Sequence, residues 1–157
     1  MSIFGIGPLL VFITVLYSIF VNLISDRFIG FRVDFLHDTF IFLIAAFLII
    51  IGLIFFIISV ITLLKGFPTG QLMKKGIYAY SRNPLYSSFI CFLVPGIVLL
   101  SKNLLFFSIP FFMYVVFSLL IKKEEKYLEK TFGKEYIEYK ASVGLLLPKI
   151  RRKFNNQ

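Results

Sequence analysis

The sequence predicts an all-α fold, a polytopic membrane helical bundle of about four transmembrane helices with a cytoplasmic C-terminal helix. Hydrophobic residues make up 59% of the 157 residues, more than the roughly 45–50% of an ordinary soluble domain. Several apolar runs approach the ~20 residues that cross a bilayer, and the basic residues lie beside those runs. Because no linker-like stretch divides the chain, we expect a single domain over residues 1–157.

Four apolar segments are the predicted spans. They cover about residues 3–24, 39–64, 85–100 and 104–121. The second is longer than the hydrocarbon core requires, so it should tilt or protrude. The last two are short, flank the turn Ser101-Lys102-Asn103 as a helical hairpin, and contain Pro95 and Pro110 as candidate kinks. The helical spacing beyond Lys122 predicts that the fourth helix continues into the tail, with Gly133 as an interruption.

The distribution of charge predicts the orientation. The segment from Lys65 to Asn83 contains basic residues and no acid, and the part from Lys122 to the end contains ten basic and five acidic residues. The positive-inside rule places both in the cytoplasm, together with both termini of a four-span chain. A net charge of +9 located beside spans favours anionic membrane lipids as partners and argues against nucleic acid.

Two polar patterns stand out at the predicted cytoplasmic face. Arg82-Asn83-Pro84-x-Tyr86 begins the third span, where such residues are also common interface anchors. The functional interpretation is an anion site made by Arg82 and the helix start, with Asn83 as cap and ligand contact. Glu124-Glu125 could be a solvated face, yet adjacent helical residues diverge by about 100°, so one carboxylate should point inward. Arg82 or a cationic ligand would then be its partner.

Metal chemistry is not predicted. His37 is the only histidine, and the topology places it with Asp34 and Asp38 across the membrane from both patterns. The sequence contains no zinc-like spacing, P-loop or dinucleotide fingerprint. Cys91 lies alone in an apolar run and is interpreted as a packing residue.

Five elements appear in order between about Gln71 and Ile150, half of the chain. They are Gly76-x-Tyr78, Arg82-Asn83-Pro84-x-Tyr86, Glu124-Glu125-x-x-Leu128, Phe132-Gly133-x-x-Tyr136-x-x-Tyr139 and Leu147-Pro148. This pattern resembles the isoprenylcysteine carboxyl methyltransferase and phospholipid methyltransferase families. The resemblance implies a membrane enzyme that binds S-adenosylmethionine on the cytoplasmic side, between segments of about residues 71–86 and 122–148.

The resemblance also implies the site residues. The candidate catalytic residues are Arg82, Glu124 and Glu125. The candidate cofactor-binding residues are Gly76, Tyr78, Arg82, Asn83, Pro84, Tyr86, Glu124, Glu125, Leu128, Tyr136 and Tyr139. Asn83 stands where the family usually has histidine, and an amide keeps hydrogen bonding but neither carries a positive charge nor takes a proton.

The expected reaction is methyl transfer to a lipophilic acceptor that reaches the site from the bilayer. A prenylcysteine-type carboxylate is already nucleophilic, whereas a lipid amine would first have to lose a proton. The alternative is a noncatalytic membrane protein derived from this family, with a lipid-binding or assembly role, whose basic tail holds anionic headgroups.

Overall fold

The computed structural model describes residues 5–25, 27, 37–66 and 70–149, and within these ranges the protein is helical. The main helices are α1 (Gly7–Ser25), α2 (Asp38–Gly66), α3 (Pro84–Leu100), α4 (Ser108–Phe132) and α5 (Lys134–Ser142). Short 3-10 turns at Gly76–Ala79 and Leu104–Phe107 precede α3 and α4. The predicted all-α membrane bundle is therefore confirmed.

Three helices are long and apolar enough to cross a membrane: Gly7–Ser25, Asp38–Gly66 and Leu104–Phe132. The third predicted span, residues 85–100, corresponds to Pro84–Leu100, which is a shorter apolar helix. The last span does not stop near residue 121, because its helix continues to Phe132 as the helical spacing of the tail predicts. Gly133, with φ of +55°, then separates α4 from α5.

Helix α3 is not a regular α-helix throughout. Its stretch Ser88–Leu93 is π-helical, and the Val94 amide donates to the Phe89 carbonyl. Pro95 follows at once and has no N–H for the regular ladder, so the wider π turn fits the helix around its ring. Pro110 lies in the first turn of α4, where a proline ring is tolerated.

The helices pack in two pairs around a core of large side chains. Helix α2 packs along α3, and α1 packs along α4. The principal core consists of Leu10, Tyr86, Ile90, Met113, Phe117, Ile121 and Leu146. A second cluster of Val21, Val98 and Ile109 lies farther along the bundle, and Tyr136, Tyr139 and Val143 form a third around α5.

The polar connections define the two ends of the bundle. Lys102, in the α3–α4 turn, forms an ion pair with Asp38 at the start of α2. At the opposite end, Arg82 forms an ion pair with Glu125 of α4. The two basic segments therefore share one end, as predicted. The direction of this end relative to the cytoplasm stays a prediction, and most of the predicted 25–38 loop and the tail beyond residue 149 lie outside the described residues.

Close packing of α2 on α3 depends on glycine. A Cβ added at Gly96 would lie 2.8 Å from the Ile49 side chain and 3.1 Å from the Ala45 carbonyl oxygen. We expect Gly96→Ala to lower the free energy of unfolding by about 1–3 kcal/mol, because the Ala45 carbonyl oxygen belongs to the backbone of α2 and cannot easily move away from the added methyl group. Thermal denaturation in detergent would measure the loss.

Gly7→Ala is the matched control for this substitution. Its Cβ would meet the Tyr86 hydroxyl at 3.7 Å, an ordinary contact distance. An equal loss of stability in both variants would show that α2–α3 packing is not the cause.

Candidate functional site

A charge cluster joins three parts of the chain at the Arg82 end of the bundle; we define it as Arg82, Glu125, Glu129 and Lys140. Arg82 Nη1 lies 2.6 Å from Glu125 Oε1, and both side chains are nearly buried, with 10% and 12% exposure. The second oxygen of Glu125 accepts from Lys140 of α5 at 2.7 Å, and Lys140 also contacts Glu129 at 2.8 Å. The predicted pairing of Arg82 with a glutamate is present.

The hydrogen bonding of this cluster is incomplete. Among the described residues, Arg82 Nε, Arg82 Nη1 and Glu125 Oε1 are buried without a hydrogen-bond partner, because the close Arg82–Glu125 contact is not aligned as a hydrogen bond. Buried charges usually fill their hydrogen-bonding capacity, since unfilled donors and acceptors cost free energy. The cluster therefore leaves buried hydrogen-bond donors of Arg82 and an acceptor of Glu125 unfilled.

Glu124 occupies a different environment from Glu125. Its carboxylate lies against the start of α1, where the Ile6 amide donates to it. A Cβ at Gly5 would lie 2.8 Å from Glu124 Oε2, and that oxygen is buried without a hydrogen-bond partner in the described structure. Tyr78 and Tyr86 lie near enough to interact electrostatically with this carboxylate. Glu124 and Glu125, although adjacent, therefore lie on two different surfaces of α4.

The tyrosines of α5 fasten this helix to the segment before α3. The Tyr139 hydroxyl donates to the Tyr78 carbonyl oxygen at 2.7 Å. The Tyr136 hydroxyl lies beside the Arg82 guanidinium, and its side chain is 2% exposed. Leu128 packs against the cluster that these tyrosines form with Val143. Tyr136 contacts the charge cluster, whereas Tyr139 has a structural partner.

A set of hydrogen bonds, which we call the clasp, holds residues 81–87 against residues 144–146. The Arg82 amide donates to the Gly144 carbonyl oxygen at 2.9 Å. The Ser87 hydroxyl donates to the Leu146 carbonyl oxygen at 2.6 Å, and the Ser81 and Ser87 hydroxyl oxygens are 3.0 Å apart. The clasp fixes the backbone that carries Arg82.

Asn83 belongs to the clasp. Its side-chain amide donates to the Leu145 carbonyl oxygen at 3.2 Å, and it makes no capping hydrogen bond to α3. The predicted capping role is therefore wrong, because the tertiary contact takes the amide away from the helix start. Pro84 is buried at the first helical position, as its fixed φ favours.

Sequence reasoning missed most of the clasp. Ser81 and Ser87 are common residue types, and their partners are backbone carbonyls that any residue would offer. The one usable signal was Gly144, where a Cβ would collide with the Leu147 carbonyl oxygen. Gly76, predicted to bind cofactor, has φ of +62° and no atom within 4 Å of an added Cβ, so the structure gives it a turn position.

A polar cleft of about 710 Å³ lies between the two predicted site segments, at the same end of the bundle. It is lined by the end of α2, residues 70–75, Phe132 and Glu135. Lys74 and Glu135 form an ion pair at 2.6 Å, and Leu72 packs on the Tyr136–Tyr139 cluster. The candidate catalytic residues do not line this cleft.

Comparison with known proteins finds methyltransferases, both among family models and among individual relatives. Residues 40–135 match the family model described as phospholipid methyltransferase. The chain is 40% identical over 77 residues to protein-S-isoprenylcysteine O-methyltransferase of Saccharomyces cerevisiae, which is 49% of this chain and 32% of that protein. Over 79 residues it is 35% identical to the enzyme of that name in Dictyostelium discoideum, covering 50% and 33%. Isoprenylcysteine O-methyltransferase B of Arabidopsis thaliana is 31% identical over 78 residues, covering 50% and 40%.

The matched region thus spans about a third of the length of the first two relatives and two fifths of the third. No solved structure matches the chain.

The clasp should contribute measurably to stability. We expect Ser87→Ala to lower the free energy of unfolding by about 1–3 kcal/mol, because the Leu146 carbonyl would remain buried without its donor. Ser142→Ala is the control, since that exposed hydroxyl bonds only within its own helix. Denaturation midpoints that fall equally in both variants would contradict a special role for Ser87.

Stability should also decline at alkaline pH. Burial, assisted by the charge of Glu124, raises the pKa of Tyr78 to about 12, and burial raises the pKa of Tyr136 and Tyr139. An acid whose pKa is higher in the folded state stabilises that state below its unfolded pKa, near ~10 for tyrosine, and loses this contribution as pH rises through the folded pKa.

Tyr78→Phe should therefore flatten part of the loss of stability between about pH 10 and about pH 12. Denaturation midpoints across that range would measure the slope. Tyr80→Phe, at a position with 65% exposure, should keep the wild-type slope, and an unchanged slope in Tyr78→Phe would contradict the assignment.

Proposed function

Because this chain belongs to the phospholipid methyltransferase family, we propose that it transfers a methyl group from S-adenosylmethionine to a lipophilic acceptor held in the membrane. The observation that carries the proposal is the Arg82–Glu125 pair, two nearly buried opposite charges with unfilled hydrogen bonds. S-adenosylmethionine carries a carboxylate and an ammonium group on its amino acid end, which match this pair in charge.

The residues of the site fit such a ligand. Arg82 would turn from Glu125 and hold the carboxylate through Nε and Nη1, neither of which forms an aligned hydrogen bond among the described residues, because guanidinium groups bind carboxylates in a planar, two-point manner. Glu124 or Glu125 would accept from the ammonium or a ribose hydroxyl. Asn83 has one amide N–H engaged by Leu145, so its contribution to cofactor binding would come from the remaining amide atoms.

Lys140 would let Arg82 separate from Glu125 without leaving the Glu125 carboxylate unpaired. It contacts Glu125 through the oxygen that Arg82 does not use. When Arg82 turns toward a ligand carboxylate, Glu125 keeps a cationic partner. The free energy of separating the Arg82–Glu125 pair is lowered accordingly, because an uncompensated buried carboxylate is avoided.

The cofactor, when bound, supplies a methyl group on a sulfonium centre. The protein must then align the acceptor and keep water away. The buried tyrosines and the apolar core around Tyr86 would exclude water from one side of the site. The site proposed here needs no metal.

The acceptor most consistent with these residues is a carboxylate of the prenylcysteine type. The named relatives are isoprenylcysteine O-methyltransferases. A carboxylate needs no base, which agrees with an asparagine at position 83. A lipid amine would require one, and Glu124, whose Oε2 has no partner among the described residues, is the candidate. Anionic lipids around the basic segments and a cytoplasmic site belong to the same proposal.

Isothermal titration of S-adenosylmethionine into the purified protein, in detergent and in nanodiscs, tests the cofactor site. We expect saturable binding that Arg82→Ala or Glu125→Gln weakens by about 30-fold or more, since loss of one buried charge partner costs about 2 kcal/mol or more. Glu138→Gln is the control, because Glu138 is exposed on α5 and should leave the affinity unchanged.

The result that would overturn the proposal is equally concrete. If folded wild-type protein bound no cofactor in nanodiscs, a noncatalytic lipid-binding or assembly role would replace the enzyme. If Arg82→Ala bound as tightly as wild type while folded, the charge cluster would not be the cofactor site.

A further inference from the structure

The start of α1, which we define as residues 5–7, cannot cap its own helix. The Ile6 carbonyl oxygen accepts the first helical hydrogen bond, from the Leu10 amide at 3.0 Å, so Ile6 stands at the N-cap position. An isoleucine side chain has no oxygen that could accept from the free amides of the first turn. The amides of Ile6 and Gly7 therefore need acceptors from another part of the chain.

Two side chains from other helices supply these acceptors. The Ile6 amide donates to the Glu124 carboxylate of α4, and the Ile6 and Gly7 amides donate to the hydroxyl oxygen of Tyr86 in α3. A negative charge is favourable at the N-terminus of a helix, because the aligned peptide dipoles leave that end positive. Glu124 and Tyr86 thus cap α1 from outside the helix.

The close approach of α1 to Glu124 depends on Gly5. This residue has a φ of +47°, and a Cβ added there would lie 2.8 Å from Glu124 Oε2 and 2.9 Å from Oε1. Any side chain at position 5 would therefore push the chain away from the carboxylate. The start of α1 covers Glu124, whereas Glu125 faces Arg82 and Lys140.

The same contacts orient Tyr86, a candidate cofactor-binding residue. Its ring packs on Phe117 of α4, with the ring centroids 5.0 Å apart, and it shares the principal core with Leu10 of α1. Packing fixes the plane of the ring, and the amides of the α1 start hold the hydroxyl group. Three helices therefore meet at Glu124 and Tyr86.

We propose that Glu124 is a positioning residue that holds the start of α1 against Tyr86, and that of the two adjacent acids only Glu125 contacts the cofactor. The second statement rests on the proposed function. The first can be measured without any cofactor.

Amide hydrogen exchange at Ile6 and Gly7, followed by NMR in detergent micelles, tests the cap. We expect Glu124→Ala to raise both exchange rates at least about fivefold, the factor expected for loss of a helix cap. Glu124→Gln should restore most of the protection, because its amide oxygen still accepts a hydrogen bond. Glu125→Gln is the matched control and should leave both rates at the wild-type value. Unchanged exchange in Glu124→Ala would overturn the positioning role.

Titration of S-adenosylmethionine into the same variants distinguishes the two acids by a second property. Glu124→Ala should keep the wild-type affinity, whereas Glu125→Gln should weaken binding about 30-fold or more through loss of a buried charge partner. Equal weakening in both variants would overturn the assignment of the cofactor contact to Glu125 alone.

Gly5→Ala tests the cap with the carboxylate left in place. The added methyl group should displace the start of α1, so that exchange at Ile6 rises as it does in Glu124→Ala while the cofactor affinity stays unchanged. Gly7→Ala is the control, since its Cβ would meet the Tyr86 hydroxyl at an ordinary 3.7 Å. Equal exchange rates at Ile6 in the two glycine variants would contradict the covering of Glu124 by Gly5.

The combined outcomes separate this inference from the proposed function. If folded wild-type protein bound no cofactor, the methyltransferase and the role of Glu125 would be contradicted, and faster exchange in Glu124→Ala would still support the cap. Cofactor binding together with unchanged exchange in Glu124→Ala would overturn the positioning role and leave the methyltransferase proposal intact.

Discussion

The buried contact between Arg82 and Glu125 is the constraint on which the arrangement of this end of the molecule depends. Placing a guanidinium and a carboxylate in a nearly dry environment is unfavourable unless they stay together. Their contact sets the start of α3 against the extension of α4, and Lys140 adds α5 to the same pair. Three chain segments are thereby held around a site whose hydrogen bonds remain partly unfilled.

The clasp supports that contact by a different physical means. Its neutral hydrogen bonds hold the backbone on both sides of Arg82 without competing for the guanidinium. Such bonds act over a short range, so they hold the backbone in position without neutralising the charge of Arg82. Because the clasp fastens the backbone that carries Arg82, the guanidinium can keep unfilled hydrogen-bond donors beside Glu125.

Sequence patterns predicted the helices and the meeting of the two polar patterns well. The continuation of α4 into the tail followed from helical spacing, and the break at Gly133 followed from its backbone freedom. The prediction of a capping hydrogen bond failed because the Asn83 side chain had two possible partners. Asn83 stands at the N-cap position of α3, and its side chain bonds Leu145 instead of the helix start. Gly76 occupies a turn with open space around it, and its role in cofactor binding stays a prediction.

The sequence by itself determined the membrane class, the helices and the family, because hydrophobicity, helical period and motif spacing are properties of residues close together in the chain. The tertiary structure decided which groups meet. Asn83 and Leu145 are 62 positions apart, and Glu124 and Glu125 face different neighbours although they are adjacent. Such contacts depend on how α3, α4 and α5 pack in space, and no local pattern records that geometry.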